Sequence, residues 1–90
     1  MAVKVEIPQP LREYTDGLVE IEVTGTTVRD ALQQVVQQYP NIESRLFDNG
    51  ALRPYINVVV NDEDIRYLDD LDTAVENGHV IALIPAVAGG

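Results

Sequence analysis

Among side chains that do covalent or acid–base chemistry, the sequence has one histidine, His79, one serine, Ser44, and no cysteine. A nucleophilic serine needs a base within hydrogen-bond reach and a third group to orient that base. Ser44 sits between Glu43 and Arg45 in a polar connecting stretch, and His79 follows Gly78 at the start of an apolar run. In such distant segments they predict no triad; His79 reads as a rim residue and Ser44 as part of a surface turn. Without cysteine, disulfides, thiolate catalysis and cysteine-held metals are excluded.

The acids are more concentrated. The stretch "NDEDIRYLDDLD" gathers Asp62, Glu63, Asp64, Asp69, Asp70 and Asp72. A calcium loop needs a central glycine for its sharp turn and a bidentate acid at its end. Arg66 and Tyr67 occupy that middle instead, so no metal site is expected. An exposed run also offers no burial to set one carboxyl apart as acid and another as base. The stretch reads as a solvated acidic rim facing a partner. The six glycines are scattered, with no phosphate-cradling loop.

The side chains therefore point to no enzyme, and one reactive group remains. The sequence closes on "IPAVAGG", and the carboxylate of Gly90 is expected to be the terminal group. A free carboxylate is a poor electrophile because its charge is delocalised. Joined to ATP as an acyl-adenylate it gains a good leaving group, which sulfide or an amine displaces. Such chemistry takes place in a partner's pocket and calls for a slim, extended, flexible tail. Gly89 and Gly90 lack a Cβ and let the backbone approach a nucleotide closely. Ala86 and Ala88 keep the approach narrow around Val87, and five residues reach roughly 16–18 Å. The blander reading, that chain ends tolerate small residues, stays open at this point.

The elements that hold this tail follow from periodicity. "VKVEI" alternates Val3, Val5 and Ile7 against Lys4 and Glu6, and "LVEIEV" alternates Val19, Ile21 and Val23 against Glu20 and Glu22. Period two predicts two half-buried strands, and the intervening prolines and Asp16-Gly17 turn make them an antiparallel pair. From Gly25 the period changes. Val28, Ala31, Leu32, Val35, Val36 and Tyr39 fall on one helical stripe, capped by Thr26 or Thr27 and stopped by Pro40. Ile42, Leu46 and Phe47 read as anchors in a short helical turn. "YINVVV" predicts an interior strand, Asn61-Asp62 a turn into a short strand "EDIRYL", and "DDLDTAVENG" a brief helical turn. "HVIALIP" is the last strand. Its two faces are both apolar; we assign Ile81 and Leu83 to the core, leaving Ala82 and Ile84 as a docking patch near the tail. Burial of that strand by neighbouring loops is the alternative.

Strand, strand, helix, strand, short strand, strand is an α+β order. It predicts a β-grasp: a mixed sheet of four to five strands with one main helix on one face, the other face bare, and the last strand ending at an open edge of the molecule. Ninety residues make one domain, expected over 1–85, with 86–90 as the tail. A net charge of -9, from fifteen acids and six bases, disfavours nucleic acid and anionic lipid and suits a protein with a basic dock. No apolar run is long enough to span a membrane, and the N-terminus lacks the features of a secretion signal, so a cytoplasmic location is expected.

On these features the sequence resembles the ubiquitin-like sulfur carriers of the MoaD/ThiS family. "INVVVNDEDIR" followed by "LIPAVAGG" is most similar to the CysO-type carriers of cysteine biosynthesis, a more specific likeness than two terminal glycines. The resemblance implies a carrier rather than an enzyme, with no bound cofactor. It implies that an E1-like activating enzyme uses ATP to adenylate Gly90 and a sulfide donor to convert it to a thiocarboxylate. It further implies that Ala86, Val87, Ala88 and Gly89 thread into partners. Those partners include a pyridoxal-phosphate-dependent cysteine synthase and a metalloprotease that releases the cysteine. The small subunit of molybdopterin synthase, a thiamine-type carrier and a ubiquitin-like protein modifier are the other readings the family allows. Lys4, the sole lysine, is the one internal side-chain attachment point for chains of this protein on itself.

Overall fold

The computed structural model describes residues 2–85. Strands β1 (Ala2–Glu6), β2 (Glu20–Thr24), β5 (Ile56–Val60), β6 (Glu63–Asp64) and β7 (Val80–Pro85) form one sheet in the order β2-β1-β7-β5-β6. The first and last strands run parallel at its centre, and the other neighbours pair antiparallel. Helix α1 (Val28–Gln38) covers one face, followed by a 3-10 turn at Pro40–Ile42 and the short helix α2 (Glu43–Leu46). Strands β3 (Phe47–Asp48) and β4 (Ala51–Leu52) make a separate hairpin. This is the expected β-grasp.

The core is the meeting of the two periodicities. Val3, Val5, Ile21, Val23, Ile56, Val58, Val60, Ile81 and Leu83 point from the sheet; Val28, Ala31, Leu32 and Val35 point from α1; all are buried. Ile42 and Leu46 are fully buried beside them, and Val36, Tyr39 and Phe47 pack at the margin. Thr27 caps α1, its Oγ1 accepting from the Asp30 amide at 3.2 Å, while Asp30 Oδ2 accepts from the Thr26 hydroxyl at 3.1 Å. The first bond satisfies one of the backbone donors that the helix start leaves orphaned, and the second ties the Asp30 side chain to the residue before the cap. Gly25 lets the chain press against this turn: a Cβ there would lie 2.9 Å from Asp30 Cβ.

Several expectations need correction. Val19 does not face the core; it precedes β2 at a bend and is 56% exposed, because the 3-10 helix Gln9–Thr15 closes that end with Leu11 and Thr15 instead. Phe47 belongs to a strand rather than a helical turn. The predicted "EDIRYL" strand stops after two residues and becomes a 3-10 turn over Ile65–Tyr67. The left-handed Asn61 and Asp62, with φ of 48° and 73°, do make the tight turn between β5 and β6. The last strand lies at the centre of the sheet. Its pairing with β1 ends at Glu6↔Ala82, however, while its pairing with β5 continues to Ile56↔Pro85.

Candidate functional site

The sheet face opposite α1 is divided by strand parity. On β7, Ile81 and Leu83 are buried, so Val80, Ala82 and Ile84 occupy the open face. Val80 and Ala82 are half-buried and Ile84 is 47% exposed, in agreement with the assignment from sequence. Antiparallel register places Asn57 opposite Ile84 and Val59 opposite Ala82 on the same face. On the other side, Lys4 pairs with Val80 and Glu22, and Glu6 with Ala82 and Glu20. An apolar stripe along β7 and Val59 therefore borders an acidic field of Glu6, Glu20 and Glu22. Lys4 offsets part of that field, its Nζ 3.7 Å from Glu20 Oε1.

At the β5–β6 side Asp64, expected in the solvated acidic rim, is instead mostly covered and held in a polar cluster with Arg66. Arg66 donates from Nε to Asp64 Oδ1 at 3.2 Å and from Nη2 to Asp64 Oδ2 at 2.9 Å. The same Nη2 donates to Asn57 Oδ1 at 2.7 Å, and the Arg66 amide donates to Asp64 Oδ1 at 2.8 Å. Hydrogen bonding from Arg66 lowers the Asp64 pKa, and Asp64 raises that of Arg66. The available signal was the Asp-x-Arg spacing at a strand end, where a short acid at a cap position bonds the amide two residues on. Recognising Asn57 as the third member needed the strand register.

The remaining sequence candidates fall as follows. His79 lies at the rim before β7; its Nδ1 accepts from the Glu76 amide at 3.1 Å, and its backbone oxygen accepts from Lys4. Ser44 is exposed on α2, and its carbonyl accepts from Arg53 Nε at 2.7 Å. No hydrogen bond joins Ser44 to His79. Asp62, Glu63, Asp69, Asp70 and Asp72 are exposed, as the rim reading expects, with Asp72 paired to Arg29 at 3.2 Å. Among the described residues no group of acids and histidine is placed to hold a metal. On the helix side, a groove of about 680 Å³ is lined by Val36, Phe47, Arg29, Arg53 and the acids Glu43 and Asp48. Ala86, Val87, Ala88, Gly89 and Gly90 lie outside the described residues. The site thus consists of the open face beside β7, which ends at Pro85.

A model of the ThiS family matches residues 5–90. The chain belongs to the ThiS family. Its ThiS-family relatives include the sulfur carrier protein CysO of Mycobacterium tuberculosis, 38% identical over 93 residues, with all of both chains covered. Its structure is similar to the CysO chain in the crystal structure of the Amycolatopsis orientalis BexX/CysO complex. There the TM-score is 0.92 at 40% identity, covering 99% of this chain and 100% of that one. It is also similar to the crystal structure of small archaeal modifier protein 1 from Haloferax volcanii, with a TM-score of 0.87, 33% identity and full coverage of both chains. The ThiS-family match and these structures bear out the β-grasp reading and the likeness to CysO-type carriers. Among the described residues no helix is long and apolar enough to cross a membrane.

Proposed function

We propose that this protein is a cytoplasmic, non-catalytic sulfur carrier of the CysO type, with Gly90 as the loaded residue. The observation that carries this reading is the apolar Ala82–Ile84 stripe on the open face of β7, directly before residues 86–90. A protein docked there is positioned to take the tail into its own pocket. Family membership and full-length likeness to CysO support sulfur carriage. The separation of Ser44 from His79 is consistent with chemistry done by partners.

In the first step a Gly90 carboxylate oxygen attacks the α-phosphorus of ATP within an E1-like enzyme, and pyrophosphate leaves. In the second, a sulfide donor attacks the resulting acyl carbon, and AMP leaves with the electron pair of the broken C–O bond. The product is a thiocarboxylate. In the cysteine branch the thiocarboxylate sulfur would displace the leaving group of an activated serine on a pyridoxal-phosphate-dependent synthase; the Gly90 acyl group would then shift from sulfur to the amine, and a metalloprotease would hydrolyse the resulting amide to free the cysteine. The test of the first step is pyrophosphate release by the host's activating enzyme with ATP and this protein. Release that depends on Gly90 is expected; none with an enzyme competent on another carrier overturns the reading.

Protein modification is the second reading, supported by the likeness to a small archaeal modifier protein. Here a lysine amine on a target, rather than sulfide, displaces AMP. Covalent adducts on target lysines in place of a thiocarboxylate distinguish it.

A further inference from the structure

We propose that Arg66 is the specificity-determining contact of the open face: its guanidinium, fixed by Asp64 and Asn57, receives a carbonyl oxygen from the activating enzyme docked on Ala82 and Ile84. This rests on the function proposed above and adds to it the partner chemistry that the face selects.

Position is the first argument. Arg66 is bonded to Asn57, and Asn57 is the register partner of Ile84, one residue before the last described position of β7. A protein that covers Ile84 and takes the tail therefore meets this guanidinium at the border of the apolar stripe. The second argument is donor accounting. A guanidinium has five N–H donors. Asp64 and Asn57 take three, from Nε and Nη2, and the two on Nη1 have no partner among the described residues. The side chain remains 59% exposed despite its three bonds. Held by a two-point carboxylate fork, it loses little further freedom on binding.

Charge selects the acceptor. Asp64 already balances Arg66, and exposed Asp62, Glu63, Asp69 and Asp70 surround it in sequence. A second carboxylate brought there meets repulsion; a neutral carbonyl oxygen takes one of the two Nη1 donors without it. The acidic field of Glu6, Glu20 and Glu22 lies across the apolar stripe. The two borders thus differ in that only the Arg66 side presents a fixed donor, which sets the orientation of a docking protein.

The test is steady-state adenylation of purified carrier by the host's activating enzyme, read as pyrophosphate release, with thermal melts as the folding control. Arg66→Leu is expected to raise KM for the carrier about tenfold, the scale of one charge-assisted hydrogen bond, with kcat unchanged. Arg66→Lys keeps the charge and loses the fork, so it raises KM as well and carries the test should Arg66→Leu fail to fold. Asn57→Ala, which loosens one side of the clamp, gives a smaller rise. Because Arg66→Lys keeps the charge and the acceptor is neutral, its KM ratio to wild type stays constant as salt increases. Unchanged KM in the folded variants overturns the inference and leaves the carrier reading standing. A ratio that collapses with salt overturns the carbonyl assignment. Wild-type protein that is not adenylated overturns the carrier reading, and the inference with it.

Discussion

Asn57 and Ile84 stand opposite each other on the β5–β7 ladder, so a fixed polar cluster and an exposed apolar side chain share one face beside the end of β7. Neighbouring Leu83 turns to the other face and is buried. One strand thus supplies both core and the proposed docking surface, and substitutions at alternate positions separate the two roles.

Ile84→Asp is expected to leave stability within about 0.5 kcal/mol, since the side chain is half outside the fold. It should raise KM for adenylation by tenfold or more. Ile81→Ala, at a fully buried position, is expected to cost about 2–5 kcal/mol. Thermal melts of both, beside adenylation kinetics of Ile84→Asp, check the pair. Equal destabilisation of the two would place Ile84 in the core.

The start of α1 is a second separable element. Thr27→Ala removes the acceptor for the Asp30 amide and should cost about 1 kcal/mol. Gly25→Ala drives a Cβ against Asp30 Cβ and the Ala31 amide, at 2.9 and 3.1 Å, and should cost about 1–3 kcal/mol. For a domain of this size each kcal/mol lowers Tm by about 4–8 °C. Neither variant touches the open face, so KM for adenylation should stay at the wild-type value.

Asp30 and Asp64 contribute to the acid limb of stability. Hydrogen bonds from Thr26 hold the Asp30 carboxyl below its ordinary value, and those from Arg66 hold Asp64 below its own. Both groups bind protons less readily folded than unfolded. Their contribution is therefore complete above the unfolded value near 3.8 and is lost as pH falls through the folded values. Urea unfolding midpoints across this range should fall for the wild type and flatten in Asp30→Asn/Asp64→Asn. An unchanged acid limb in that double variant would contradict the assignment.

Much of this architecture was legible in the alternation of Val3, Val5, Ile21, Val23, Ile81 and Leu83 and in the helical stripe from Val28 to Val35. Period and burial are the same physical fact there. Val19 misled because alternation continues in sequence beyond the point where the strand ends, and a 3-10 helix covers that end of the core. Phe47 misled because a single apolar residue cannot distinguish a helical turn from a two-residue strand. The Ala82 and Ile84 patch was legible once one face of β7 was given to the core. Arg66 was not, since its proposed role depends on Asn57, nine residues away, and that contact follows from strand register rather than local pattern.

The central claim is that the Gly90 carboxylate carries sulfur. Its most direct test is intact-mass and fragmentation analysis of the protein after incubation with ATP, a sulfide donor and the host's activating enzyme. The account predicts one oxygen replaced by sulfur, localised to Gly90 and abolished by deleting Gly90 from a chain that still melts like wild type. An unmodified mass with a competent enzyme, or sulfur at another residue, would contradict it.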